Sequence, residues 1–221
     1  MKNHFGGVVS SVFTACAFLA VFLIGASAFG AEPGMIVGWS FPTTKFKENP
    51  IESAFTKTGV TSPVMIKVED GMSRAEKTGG AFGGSKATAT SFADAAANNQ
   101  AISFTIEASS GYAITLSQIP IFKYSRTKTS GAQKGQWQYA IQGGDYIDLG
   151  TEISWTTKES GKADAVDLSA IPVIGPGSNV TIRLVLWGAT GSRGAWYIMA
   201  DETKEGEYFS VEGTVEGVGS T

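Results

Sequence analysis

The sequence predicts an all-β protein, an antiparallel β-sandwich preceded by an N-terminal signal-peptide helix. Short runs rich in Ile, Val, Thr, Phe, Tyr and Trp recur after residue 29, and glycines separate them at intervals of about ten residues. Several runs alternate apolar and polar residues, as a strand does when one face packs on a core. Nothing after residue 29 has the period of a long amphipathic helix. We expect a signal peptide at 1–28 and a single domain at 29–221, with its core at about 35–217.

The first 28 residues contain the three parts of a secretory signal peptide. Lys2 gives a basic start, 8–24 is an apolar run, and Ala26 and Ala28 form an Ala-x-Ala exit, with cleavage predicted after Ala28. The apolar stretch is also about long enough to span a bilayer, which needs roughly 20 residues, so an uncleaved membrane anchor is the alternative. The sequence therefore predicts a secreted or periplasmic protein that meets a membrane only through an uncleaved leader.

Cysteine and histidine chemistry is confined to this leader, since Cys16 is the only cysteine and His4 the only histidine. A chain cleaved after Ala28 has neither, which excludes disulfides, thiolate nucleophiles, Ser-His-Asp sites and the common zinc and copper ligand sets. We therefore expect no cofactor, with calcium as a candidate ion. Cleavage removes Lys2 and no acidic residue, which takes the formal net charge from −3 to −4. No basic patch is long enough to follow a phosphate backbone, so nucleic acid is not expected as a partner.

The individual elements are predicted in chain order from these patterns. A tryptophan-containing strand at 35–41 opens the domain, and the segment 70–90, rich in Gly, Ser, Thr and Lys, is predicted to be a long loop. Asp94 is predicted to cap one helical turn at 94–99. The alternating strands are predicted at 101–107, 136–142, 179–187 and 209–214, and further strands at 63–68, 113–124, 153–157 and 195–199.

Several segments occur in an order that is similar to a known family. They are 38–41, the glycine-flanked Phe82, 96–118, 137–141, 166–169, 180–188, 194–198 and 209–213. Together they resemble a widespread jelly-roll-like domain of secreted bacterial proteins, often found in polypeptides with sorting signals of the PEP-CTERM kind. The resemblance covers nearly all of 36–217, and 96–118 is its most specific part.

This resemblance implies a β-sandwich related in shape to carbohydrate-binding modules, in a family mostly without assigned activity. It supplies no catalytic motif to carry over. The sequence departs from the family pattern by inserting 201–206 before the last strand, and by lacking an apolar anchor or basic tail before Thr221.

Tryptophans are the first candidates for a binding surface, because sugar C–H faces stack on exposed aromatic rings. Trp137 and Trp39 are predicted to lie in the core, where large rings supply much of a sandwich's stability. Trp187 and Arg183 share the face of 179–187 that lies opposite its aliphatic face. Arg183 either forms a cross-strand bridge or binds sugar hydroxyls or a carboxylate beside the Trp187 ring. Trp196 alternates with Tyr197, so one of these two rings is expected outside.

Acidic residues raise two further hypotheses. The pairs Asp145/Asp148 and Asp164/Asp167 suggest glycosidase chemistry, but three-residue spacing in a strand sends the two side chains to opposite faces. Asp201 and Glu202, together with Glu205 and Glu207, form an acidic cluster that suits calcium, although solvated loop charges are the favoured explanation because no spaced calcium motif is present.

These observations predict a secreted, non-catalytic β-sandwich that binds a surface or matrix component, most plausibly carbohydrate. Arg183, Trp187 and Trp196 are the candidate ligand-binding residues. The alternatives are a structural or adhesive protein of the envelope or extracellular matrix, and a glycan hydrolase or lyase that depends on carboxylates. The oligomeric state and the identity of the ligand are not predicted.

Overall fold

The structure is a computed structural model that describes residues 33–127, 129–155, 159–200, 202–203 and 207–219. The strands and the helix within these residues are β1 Gly34–Trp39, β2 Ile51–Glu52, β3 Phe55–Thr56, β4 Met65–Val68, β5 Ser73–Ala75, β6 Ala81–Ser85, α1 Phe92–Ala97, β7 Ala101–Glu107, β8 Tyr112–Ile119, β9 Phe122–Arg126, β10 Lys134–Ile141, β11 Ile147–Ser154, β12 Ser160–Ala163, β13 Val166–Asp167, β14 Asn179–Trp187, β15 Ala195–Met199 and β16 Phe209–Gly217.

These strands form three antiparallel sheets. Sheet I has the order β13-β8-β16-β1-β3, sheet II has the order β11-β10-β14-β7-β4-β2, and sheet III has the order β12-β9-β15-β6-β5. The fold-class prediction is confirmed in this form: the chain is nearly all β, and its sheets are consistent with a β-sandwich. The predicted signal-peptide helix, with Ala26 and Ala28, lies outside the described residues.

Sheets I and III continue each other along the chain. Strand β8 is followed by β9, β12 by β13 and β15 by β16, and each pair occupies matching positions in the two sheets. The first of these breaks falls at Pro120, which has no N–H to donate to a ladder. The sequence prediction of one strand at 113–124 was therefore wrong, because β8 ends at Ile119 and β9 begins at Phe122.

An aromatic cluster joins the three sheets. Phe209 of sheet I lies 5.3 Å from Phe122 of sheet III, and Phe122 lies 6.2 Å from Trp137 of sheet II, each distance between ring centroids. Trp39 of sheet I packs on Phe104 of sheet II at 4.9 Å. The core predictions for Trp39 and Trp137 are confirmed, since both rings are buried. Each buried ring removes a large apolar area from water, which stabilises the contact between the sheets.

The segment 70–90 is not one long loop, because it contains β5 and β6. Gly83 of β6 lies against β15, and a Cβ at this position would fall 1.9 Å from the Trp196 carbonyl oxygen. The glycine here permits close approach of two strands and does not mark a turn. This explains why a glycine-rich composition was misleading.

The short helix begins two residues before the predicted position. Ser91 is its N-cap and accepts a hydrogen bond from the Asp94 backbone N–H, while the Ser91 hydroxyl donates to the Asp94 carboxylate at 2.7 Å. Asp94 therefore sits at the third helical position, where its backbone N–H is capped by Ser91, and is not the cap itself. The helix ends at Ala97 and packs on β14.

Candidate functional site

A row of five polar residues crosses the outer face of sheet II, with one residue from each of five adjacent strands. Strand register places Lys67 beside Ser103, Ser103 beside Arg183, Arg183 beside Gln138, and Gln138 beside Asp148. Except for the exposed Ile147, their sequence neighbours point into the core, because side chains alternate between the faces of a strand. We call these five residues the polar row.

Arg183 occupies the middle of the polar row and is fixed on two sides. Its Nε donates to Gln138 Oε1 at 2.9 Å, and Gln138 Nε2 donates to Asp148 Oδ1 at 2.8 Å. The guanidinium carbon lies 3.5 Å from the centroid of the Tyr146 ring, a close cation–π contact. A planar guanidinium held in this way keeps one orientation.

The other end of the polar row converges on Glu69. The Ser103 hydroxyl donates to Glu69 Oε1 at 2.5 Å, and Lys67 Nζ lies 3.0 Å from Glu69 Oε2. Ser103 is fully buried, whereas the Lys67 side chain is half exposed. Glu69 thus connects a buried hydroxyl to a cation at the surface.

Arg183 retains donors beyond those used by the fold. The residue is only 7% exposed, and burial lowers the pKa of its guanidinium, an effect that Tyr146 and then Glu69 oppose. Arginine nevertheless stays protonated in proteins. Within the described part of the chain Gln138 is its hydrogen-bond partner, and Nη1 and Nη2 are not among the buried unpaired atoms. These two groups therefore reach solvent and can donate to an added acceptor.

Beside the polar row lies a cleft of about 260 Å³ over β4 and β7. Its lining includes Thr61, Lys67, Thr105 and Glu107. Thr105 and Thr181 share a hydroxyl–hydroxyl hydrogen bond of 2.8 Å across β7 and β14. Hydroxyls, a carboxylate and an amine are the groups that bind polyhydroxylated ligands, so the cleft extends the polar chemistry around Arg183.

Trp187, a candidate ligand-binding residue whose exposure the sequence left open, is buried. Trp187 lies on the same face as Arg183, as its alternation predicted, but its ring is buried and packs 5.6 Å from Phe92 of α1. Together with Ala95 and Val185 it forms a small apolar cluster under the helix. The helix covers this end of the outer face, and a sugar cannot stack on Trp187 in this structure.

Trp196 and Tyr197 lie on opposite faces, as their alternation predicted, but neither ring is exposed. Trp196 is fully buried between the layers, where its ring lies 4.9 Å from Trp155 and is parallel to Tyr124 at 6.1 Å. Tyr197 lies on the opposite face and is only 8% exposed, with Lys77 Nζ 5.1 Å from its ring centroid. Trp196 belongs to sheet III and does not share a surface with Arg183 of sheet II.

Tyr146 was missed by the sequence analysis. Its ring is 36% exposed and follows the turn at Gly143 and Gly144, between β10 and β11. The sequence did contain a signal: Tyr146 closely follows a glycine turn. Turns lie at the surface, so an aromatic ring there is expected to be partly exposed. The turn was instead considered only for its acidic residues.

Three of the acidic candidates, Asp148, Asp167 and Glu202, form hydrogen bonds with separate partners. Asp148 is engaged by Gln138, and Asp167 Oδ1 accepts a hydrogen bond from the Ser169 backbone N–H at 2.8 Å, which lowers the pKa of Asp167. Glu202 Oε1 accepts from the Thr43 backbone N–H at 3.3 Å.

The calcium candidates are described only in part. Asp201 and Glu205 lie outside the described residues. Among those that the structure describes, no group of three His, Cys, Asp or Glu side chains is arranged to hold a metal ion. In the same part of the chain, no helix has the length and apolar character needed to cross a bilayer.

Comparison with the models of known protein families and with curated proteins finds no match to this chain.

Proposed function

We propose that this chain is an exported, non-catalytic binding protein of the jelly-roll-like kind, and that the outer face of sheet II around Arg183 and Tyr146 binds carbohydrate. The observation that carries this proposal is the Arg183 guanidinium, which is fixed by Gln138 and Tyr146, while its two Nη groups have no hydrogen-bond partner in the described part of the chain and are not fully buried.

Preorganisation supports this proposal. A long side chain loses conformational entropy when it binds, and a guanidinium already held by a hydrogen bond and a ring has less to lose. Its Nη groups suit sugar hydroxyls or a carboxylate, since arginine presents donors in a planar fork. The exposed part of the Tyr146 ring offers an apolar surface beside them.

The edges of sheet II favour this proposal over self-assembly. One edge strand, β2, has two residues, and the other, β11, carries Asp148 and Glu152 and has a positive φ of 66° at Gly150. Short strands, charges and local distortions at sheet edges oppose pairing with another chain. A structural role through edge-to-edge assembly is therefore less well supported than ligand binding.

The proposal is tested by screening the purified protein on neutral glycans and then comparing two tyrosine variants. Tyr146→Ala removes the ring over Arg183. Tyr208→Ala is the control, because Tyr208 directly precedes β16 of sheet I and its exposure is similar, 38% against 36% for Tyr146. We expect Tyr146→Ala to weaken binding about tenfold and Tyr208→Ala to leave it within about twofold, because a well-placed aromatic contact contributes on the order of 1 kcal/mol.

The screen also separates the alternatives. Binding to no glycan by the wild-type protein, or equal binding by wild type and Tyr146→Ala, would contradict the proposal. Turnover of a glycan that an Asp or Glu substitution abolishes would favour the hydrolase or lyase hypothesis instead.

A further inference from the structure

We propose a second binding site, a groove on the outer face of sheet III in which Lys77, Lys123 and Lys162 bind a saccharide that carries an anionic group. The groove has a volume of about 510 Å³, and its lining also includes Tyr124, Ser125, Ser160, Gly161 and Met199. We call it the lysine groove. It shares no residue with the polar row, so it is independent of the function proposed above.

Strand register brings two of these lysines together. Lys162 of edge strand β12 pairs directly with Lys123 of β9, and Ser160 pairs with Ser125 two residues along. Like charges placed directly opposite on one face of an antiparallel pair destabilise it. Both lysines are exposed, so packing of the core requires neither of them.

The third amine reaches the groove from another part of the chain. Lys77 lies beyond β5, and its Nζ donates to the Ser125 hydroxyl at 2.5 Å while it lies over the Tyr197 ring. Burial lowers the pKa of the Lys77 amine. An anion bound beside it would oppose that shift, because an opposite charge favours the protonated form.

The charges of the groove are only partly compensated. Lys123 Nζ lies 2.8 Å from Glu207 Oε1, which neutralises one of the three amines. Neither Lys77 nor Lys162 has an ion pair with any carboxylate that the structure describes. The groove therefore has a local excess of positive charge in a chain whose formal net charge is −3.

The remaining lining favours a saccharide over other anions. Ser125 and Ser160 can exchange hydrogen bonds with hydroxyls, and Met199 supplies apolar surface for C–H groups. A groove of this volume accommodates a short oligosaccharide, since small-ligand sites typically measure about 300–1,000 Å³. Nucleic acid has a much higher charge density, and the overall negative charge of the chain opposes its approach.

The test uses affinity measurements on the purified full chain with four probes: oligogalacturonate, a sulfated oligosaccharide, a neutral malto-oligosaccharide and a thymidine oligonucleotide. We expect the wild type to bind one or both acidic saccharides, more weakly as salt is added, and to bind the neutral probe at least about tenfold less well. Whichever of the carboxylate and sulfate probes binds more tightly identifies the anionic group.

The variant Lys77→Gln/Lys162→Gln removes two amines of the groove, and Lys45→Gln/Lys86→Gln removes two exposed lysines outside it. Both variants change the net charge equally, so they separate a local site from a general charge effect. We expect the groove variant to lose on the order of tenfold in affinity for the acidic saccharide, and the control to stay within about twofold. Unchanged melting temperatures would show that both variants fold.

Three results would overturn the proposal: no binding of either acidic saccharide, equal losses in the two lysine variants, or tighter binding of the oligonucleotide than of the saccharides. Tyr146→Ala should leave acidic-saccharide binding unchanged, so failure at the polar row and failure at the lysine groove are distinguishable.

Discussion

Arg183 on sheet II and Lys162 on sheet III each lie on the outer face of an antiparallel sheet, Arg183 on an inner strand and Lys162 on an edge strand, and their neighbours differ. Arg183 is nearly buried, hydrogen-bonded to Gln138 and covered by Tyr146. Lys162 is exposed and lies opposite Lys123. The first cation is integrated into the fold, while the second is held against electrostatic repulsion.

This difference allows a cation that stabilises the fold to be distinguished from one that the fold does not need. Removing a fixed, hydrogen-bonded cation leaves its partners unsatisfied and destabilises the fold. Removing a cation from a like-charged pair relieves repulsion, so the fold does not need it. The two regions should therefore respond in opposite directions when their cations are replaced.

The largest effect on stability is expected at Gly83, where β6 and β15 of sheet III lie close together. Gly83→Ala would place a Cβ against the Trp196 carbonyl oxygen and push β6 away from β15, at a cost of about 3 kcal/mol in the free energy of unfolding. Gly175→Ala is the control, because its Cβ would meet open space. Urea denaturation measures both. A loss at Gly83 no larger than that at Gly175 would show that β6 does not approach β15 as closely as described.

The next largest effect is expected for the fixed cation. Arg183→Met should lower the free energy of unfolding by about 2 kcal/mol, because Gln138 loses its donor and Tyr146 loses its cation. Arg193→Met, at an exposed position before β15, is the matched control and should change stability by less than about 0.5 kcal/mol. Equal stability of the two variants would mean that the contacts of Arg183 contribute nothing to the fold.

The pH dependence of stability provides a third contrast. Burial lowers the pKa of Lys77 in the folded chain below its ordinary 10.5. At pH values between the folded and the unfolded pKa, the unfolded chain holds a proton that the folded chain has released. Stability therefore rises with pH just below 10.5. Burial raises the pKa values of Tyr124 and Tyr197, so above pH 10.0 the folded chain keeps their protons longer and stability falls.

Unfolding of the wild type and of Lys77→Met, followed from pH 7 to pH 10.5, isolates the lysine contribution. The wild type should gain stability relative to Lys77→Met as the pH rises. The difference between the wild type and Arg183→Met should stay constant, because arginine does not titrate in this range. Parallel curves for the wild type and Lys77→Met would contradict the burial of Lys77.

The smallest effect, and the clearest in sign, is expected at two exposed lysines. Lys162→Gln should raise the free energy of unfolding by a few tenths of a kcal/mol by relieving the part of the repulsion from Lys123 that the Glu207 carboxylate leaves uncompensated. Lys134→Gln should lower it by a similar amount, since Lys134 Nζ lies 2.9 Å from Glu152 Oε1 on the neighbouring strand. If both variants lower the free energy of unfolding, there is no net repulsion between Lys162 and Lys123.

Most of the fold followed from local patterns, but only part of the candidate site did. Alternation placed Arg183 on the outer face correctly, because side-chain direction in a strand depends on the chain itself. It could not show that α1 covers Trp187, since that contact joins distant segments. The contact of Tyr146 with Arg183 and the meeting of three lysines were hidden for the same reason.

The most direct measurement is the affinity of two variants for two ligands. Tyr146→Ala and Lys77→Gln/Lys162→Gln are each titrated with the best neutral glycan and with the best acidic saccharide found in the screens. If the two sheets carry separate sites, Tyr146→Ala loses only the neutral ligand and the lysine variant loses only the acidic one, each by about tenfold. Loss of both ligands in either variant, or of neither ligand in both, would contradict the account.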